Sequence, residues 1–186
     1  MNYPLRIETS RLYTRALTLD DAPAWTHFLT NSEATQYFPK LPVTPSERAE
    51  MWIESQLKRY SEGSFGLLAL IEKESGTWIG QCGLLGQQVD GAAELEVGYH
   101  IFPEFWLQGY ATEAARAFRD LGFLHNLAPS IVSIIHRDNA GSQAVATNNG
   151  MKREKACEFK DMDVFVYRIL RAEWDKMQPQ ALSAGA

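Results

Sequence analysis

Apolar and polar positions change period often enough along this chain to mark out its elements. Residues Arg11-Leu12-Tyr13-Thr14-Arg15-Ala16 alternate as a half-buried strand does. Thr18-Leu19-Asp20-Asp21 then offers a cap and an acidic first turn for a helix through about Leu29. The period is lost over residues 31–44, where Pro39 and Pro42 suit a connection. Thr44 as N-cap, Pro45 at the first helical position and Glu47 two residues further on form a capping box. The helix they open should reach about Tyr60 and stop near Gly63.

Three strand-like runs follow, Phe65 to Glu72, Trp78 to Leu85 and Ala93 to Phe102. A tight turn at Glu74-Ser75-Gly76 and a looser one around Asp90-Gly91 join them into an antiparallel meander. Helical spacing returns from Ala111 to about His125 through Ala114, Ala117, Phe118 and Leu121. Ile131 to His136 is a short β-branched strand, and Gly141 to Asn149 a short helix closed by Gly150. Lys152 to Phe159 and Met162 to Leu170 supply two last strands. The order β-α-α-β-β-β-α-β-α-β-β predicts a mixed α/β fold. About seven strands would form a central, mostly antiparallel sheet with four helices and one parallel crossover. A single domain over residues 1–177 is expected, with 178–186 as a disordered tail.

Composition narrows the class. Hydrophobic residues at 45% and charged ones at 22% are the balance of a soluble globular protein, long enough for a substantial core. No apolar run nears the roughly 20 residues that span a bilayer, and Met1 to Arg6 lacks a signal-peptide core. A cytoplasmic protein without a membrane partner, monomer or homodimer, is expected. The net charge of −5 argues against nucleic acid and is compatible with a cationic amine as substrate. Cys82 and Cys157 stand far apart without CxxC spacing and read as small hydrophobes. None of the histidines has metal-ligand spacing, so no metal is expected.

The chemically informative segment is Gly98 to Ala115: a strand, a short connection with Pro103, the pair Phe105-Trp106, then Gly109 opening a helix. Small residues at Gly109 and Ala111 let a ligand reach the backbone, and free N–H groups at a helix start attract an anion such as pyrophosphate. No Lys or Arg lies between Trp106 and Ala115, so amides and the Thr112 hydroxyl would carry the binding. Spacing alone also suits a plain strand–turn–helix with a glycine for turn geometry.

The run Tyr99-His100-Ile101-Phe102-Pro103-Glu104-Phe105-Trp106-Leu107-Gln108-Gly109-Tyr110-Ala111-Thr112-Glu113-Ala114 resembles motif A of the GNAT superfamily of N-acetyltransferases. It is most similar to the branch of the ribosomal-protein N-terminal acetyltransferases. His136-Arg137-Asp138-Asn139-Ala140-Gly141-Ser142, Asn149-Gly150-Met151 and the opening Glu8-Thr9-Ser10-Arg11-Leu12 resemble that branch too. Trp106 stands where the superfamily usually has Arg or Gln, and Leu107 where the branch has its first glycine.

The resemblance implies acetyl-CoA as acetyl donor. Its pantetheine arm would pair with the backbone of Tyr99, His100 and Ile101, and an N–H of that stretch would polarise the thioester. Amides from Gln108, Gly109, Tyr110, Ala111 and Thr112 would hold the pyrophosphate, with Asn139 and Ser142 completing the donor site. Glu96 resembles the strand-four glutamate that serves as base, and Ser142 the serine that protonates the thiolate. Glu94 and Glu96 share a strand face and could draw an ammonium substrate, or could both be solvated on a polar face. Tyr37 and Phe38 are expected at the acceptor site. The activity implied is transfer to a primary amine in a ternary complex, a protein N-terminal α-amine among the candidates. Polyamine, amino-acid or antibiotic acylation, or acyl-CoA binding without turnover, are the alternatives.

Overall fold

The computed structural model describes residues 4–178. Its strands are β1 Leu12–Arg15, β2 Leu67–Glu72, β3 Trp78–Val89, β4 Ala92–Ile101, β5 Ser130–His136, β6 Lys152–Phe159 and β7 Met162–Leu170. Its α-helices are α1 Ala22–Thr30, α2 Ser32–Thr35, α3 Pro45–Ser61, α4 Tyr110–Leu124, α5 Ala140–Asn148 and α6 Arg171–Met177. The strands form one sheet in the order β1-β2-β3-β4-β5-β7-β6. All neighbours are antiparallel except β4 and β5, which the helix α4 joins as a parallel crossover.

Strand periodicity decides which core each side chain enters. On β2, Leu68 and Leu70 enter a cluster with Phe118 of α4, whereas Ala69 and Ile71 enter one with Trp25, Phe28 and Ile53 of α1 and α3. Both faces of β2 are therefore buried, and the sheet separates α4 from α1 and α3. A side chain such as Phe118, 1% exposed, contributes roughly 1.5–3 kcal/mol by leaving water.

The expected capping box is formed: the Thr44 N–H donates to Glu47 Oε2 at 2.8 Å, and the Glu47 N–H to Thr44 Oγ1 at 3.3 Å. Three local readings need correction. The turn at Asp90-Gly91 is a tight two-residue one, with φ of 50° and 79°, so β3 and β4 stay paired up to Val89 and Ala92. The helix α2 interrupts the 31–44 connection, started by the Asn31 side chain accepting from the Ala34 N–H at 2.9 Å. The helix α6 follows β7 and is held by buried Trp174 against Phe123, ring centroids 5.2 Å apart. Elements this short carry too few periodic positions to stand out in a sequence.

Both cysteines are free, Cys82 buried and Cys157 half-buried, and burial pushes both thiols up. No helix among the described residues is long and apolar enough to cross a membrane. Of the expected tail, residues 179–186 lie outside the described residues.

Candidate active site

The parallel strands β4 and β5 share one register pair, Glu96 with Val132, and separate beyond it. On its other side β4 stays bound to β3, with Tyr99 opposite Cys82 and His100 opposite Gln81. The Phe102 N–H donates to the Ile79 carbonyl at 2.9 Å. Antiparallel alternation therefore commits the backbone of His100 to β3 and turns that of Val97, Tyr99 and Ile101 into the gap. There the Val97 carbonyl accepts from Ser133 Oγ at 3.0 Å, and the Ile101 carbonyl from Trp106 Nε1 at 2.6 Å. The Tyr99 backbone and the Ile101 N–H are left presented to an extended ligand, which can add to this edge as a strand does.

Two cavities, of about 570 and 360 Å³, meet in this gap. Tyr37, Phe38, Tyr99, His100, Asn139 and Ser142 line both. The larger is bounded by the start of α4. Leu107 and Gly109 take φ of 59° and 82°, left-handed values that glycine adopts freely and leucine does not. With Gly109 as cap, α4 begins without any side-chain bond to its first N–H groups. The helix α5 differs, its Ser142 N–H donating to Asn139 Oδ1 at 3.0 Å. Gly109, Tyr110, Ala111 and Thr112 line the larger cavity, so the open end of α4 presents roughly half a positive charge to it.

Beside this turn stands an ion pair with one member from far along the chain. Arg11 Nη1 donates to the Gln108 carbonyl at 2.9 Å, and its guanidinium lies 4.4 Å from the Tyr110 ring centroid. Arg11 Nε donates to Glu113 Oε2 at 2.6 Å. The other oxygen of Glu113 accepts from the Thr9 hydroxyl at 2.5 Å, the Ser10 hydroxyl at 3.0 Å and the Arg11 N–H at 2.9 Å. Burial would raise the Glu113 carboxyl, but these donors override it and hold it down at about 2.

In the smaller cavity Glu96 stands where the gap closes. It accepts from Gln87 Nε2 at 2.7 Å and from the Ile134 N–H at 3.4 Å, while burial pushes its carboxyl above the ordinary range. The Tyr37 hydroxyl donates to the Asp138 carbonyl at 2.9 Å and its ring stacks on His136 at 4.9 Å. The 31–44 connection is thereby tied across the gap to the loop after β5. Phe38 and Trp52 flank His100 at 5.0 and 5.2 Å. Burial, helped by the charge of Arg48, pushes His100 down to about 4, so its ring is neutral at neutral pH. The Tyr99 hydroxyl donates to the Ser142 carbonyl at 2.9 Å.

Most of the expected residues thus converge on one gap, with three differences. The backbone of His100 is occupied by β3, so what His100 brings to the gap is its ring. The side chain of Gln108 folds back onto the Glu104 carbonyl at 3.0 Å. Glu94 lines neither cavity: Arg168 grips both its oxygens at 2.7 and 2.8 Å and holds its carboxyl below the ordinary range. Two residues back along β4, it lies within reach of Arg168, which comes from β7 of the same sheet. Arg11, Glu113 and Trp106 were without roles in the sequence reading. The pairing of Thr9-Ser10-Arg11 with a residue a hundred positions on has no local signature.

Residues 11–152 match the family model described as the acetyltransferase (GNAT) domain. An uncharacterised N-acetyltransferase of Bacillus licheniformis, p20, is 26% identical over 173 residues, covering 89% of this chain and 96% of its own. A solved acetyltransferase from Agrobacterium tumefaciens is 28% identical, with a TM-score of 0.74 over 91% of this chain and 95% of that one. RimL, a ribosomal L7/L12 α-N-protein acetyltransferase solved with coenzyme A, shares the fold at 20% identity. Its TM-score is 0.72, over 89% of this chain and 97% of its own.

Proposed function

The chain belongs to the GNAT acetyltransferase family, and on that premise we propose that it transfers acetyl from acetyl-CoA to a primary amine, both bound at once. The observation that carries this reading is the meeting of two unlike cavities in the gap between β4 and β5. One offers the backbone donors at the start of α4 to an anion, and the other the half-buried Glu96 carboxylate to an amine. RimL holds coenzyme A in the same fold, and the larger cavity here has the chemistry such a ligand asks for. The first-turn amides of α4, in a turn braced by Arg11, would hold its pyrophosphate, and the Tyr99–Ile101 edge its pantetheine arm.

The donor supplies an acetyl group activated on sulfur. Glu96, raised by burial, takes the proton that the amine loses as its nitrogen bonds to the acetyl carbon. The Tyr99 or Ile101 N–H stabilises the charge gathering on the carbonyl oxygen. The Ser142 hydroxyl protonates the departing thiolate as the carbon–sulfur bond breaks, held in place through Asn139 and Tyr99. Tyr37 and Phe38 wall the acceptor side. An α-amine, with a pKa of roughly 8, gives up its proton more readily near neutral pH than a lysine near about 10.4. This favours a protein N-terminus or a small α-amine as acceptor.

The test is acetyl-CoA-dependent thiol release over a panel of amines, with Glu96→Gln alongside. Wild-type rates should rise with pH along a limb displaced above the ordinary carboxylate range, as Glu96 ionises. Glu96→Gln should lose that limb and about 10²-fold in kcat, with acetyl-CoA stabilisation retained. A pH–rate profile unchanged by the substitution would remove Glu96 as the base. Stabilisation by acetyl-CoA with no thiol release from any amine would leave a binding module.

A further inference from the structure

The net charge of −5 suits a cationic acceptor, but the acceptor cavity is charged the other way. Among the described residues lining it, Glu96 is the one carboxylate, while Arg59 and Lys160 bring full positive charges. They arrive from the two halves of the sheet, Arg59 near the end of α3 and Lys160 from the turn between β6 and β7.

Neither is neutralised. With 23 acidic residues against 18 basic ones, this chain gives most arginines a carboxylate: Arg11, Arg15 and Arg168 hold Glu113, Asp21 and Glu94. Arg59 has no ion pair or side-chain hydrogen bond among the described residues, although it is half-buried. Lys160 has no ion pair there either, and its ammonium sits 4.8 Å from the Phe159 ring centroid. Its backbone is also unusual. Lys160 and Asp161 take φ of 52° and 60° in a two-residue hairpin turn, a place that Asn-Gly or Asp-Gly fills without strain. After burial and the bonds from Gln87 and Ile134, the charges of Lys160 and Arg59 also act on Glu96, so both lie within electrostatic reach of the reacting end.

Resting on the acceptor reading of this cavity, we infer that the substrate carries a carboxylate beside its amine. The amine points to Glu96 and the gap, and the carboxylate to Arg59 and Lys160. A cavity of about 360 Å³ suits an amino-acid-sized group. A free α-amino acid and a peptide with an acidic side chain next to its N-terminus both present this chemistry. A polyamine does not, since its second ammonium would face two cations.

Matched acceptors test this by kcat/KM for CoA release. One arm pairs peptides with aspartate or asparagine at the second position, and the other pairs free amino acids with their amides. The arm that responds identifies the source of the carboxylate. We expect at least about a ten-fold preference for the carboxylate in one arm, the equivalent of one well-placed charge contact. The ratio should fall toward one in Arg59→Ala/Lys160→Ala and invert in Arg59→Glu. An unchanged thermal shift with acetyl-CoA certifies the fold of both variants. Equal rates within both arms, a preference for diamines, or a ratio that survives the double substitution would overturn the inference. Retained acetyl-CoA binding with no CoA release to any amine would instead overturn the transferase reading beneath it.

Discussion

The two cavities that meet between β4 and β5 are made of different material. The donor side is mostly backbone: the Tyr99–Ile101 edge, the left-handed turn at Leu107 and Gly109, and the uncapped start of α4. The acceptor side is mostly side chains, drawn from α3, β4, β5, the 31–44 connection and the β6–β7 turn. Backbone chemistry cannot be varied residue by residue, so a site built from it demands a contiguous stretch with glycine where φ must be positive. Side-chain chemistry can be gathered from anywhere and altered one position at a time. The first site suits a ligand shared across a family, and the second a ligand peculiar to each member.

Gly109→Val strikes the donor side hardest. At φ 82° a β-branched residue is a strong outlier, although a Cβ itself finds room there, its nearest neighbour Arg11 Nη2 at 3.4 Å. The turn must rearrange, moving the α4 amides and Arg11 together. Calorimetry should find acetyl-CoA affinity reduced by at least ~10²-fold, a loss of about 3 kcal/mol, with the thermal melt still cooperative. Wild-type affinity in this variant would refute the backbone cradle and, with it, the contrast between the two sides.

The same contrast explains what could be read in advance. Strand and helix order, the capping box at Thr44 and the amides from Gly109 to Thr112 were legible because each depends on neighbours in the chain. The acceptor cavity was not. Glu96 and Glu94 look equivalent by strand period, yet Arg168, on β7, engages one and leaves the other in the gap. Nothing near Arg59 or Lys160 in sequence announces that they line one cavity with Glu96. Arg11 is an intermediate case: the segment around it was recognisable, but not that it braces the turn before α4 through Gln108 and Glu113.

Glu113 anchors that brace, and acid should expose it. Its carboxyl is held at about 2 against an ordinary value near 4.5. A depressed carboxylate stabilises the fold above its unfolded pKa, and the stabilisation is lost as pH falls through the folded value. The shift corresponds to roughly 3 kcal/mol, present at neutral pH and disappearing between about pH 4.5 and 2. Glu113→Gln should therefore be less stable at pH 7 by an amount of that order and show a flatter acid limb in denaturant titrations. Acetyl-CoA affinity should fall as well, because Arg11 loses its anchor beside Gln108. Equal pH dependence in the two proteins would show that the Thr9-Ser10-Arg11 clamp does not hold the loop.

The smallest effect is expected at Leu107, and it asks whether the donor side is backbone alone. Leu107 is left-handed at φ 59° and fully exposed, so Leu107→Gly removes a strained Cβ without unpacking anything. The relief is roughly 1–2 kcal/mol, and the extra freedom of glycine in the unfolded chain offsets about 0.5–1 kcal/mol of it. The melting temperature of the unliganded protein should accordingly rise by about 1–3 °C. If backbone amides carry the donor, acetyl-CoA affinity should change by less than about three-fold. A larger loss would mean that the exposed leucine packs on the bound donor. The donor side would then select its ligand by side chain too, and the departure from glycine at this position would be a determinant of specificity rather than a tolerated strain.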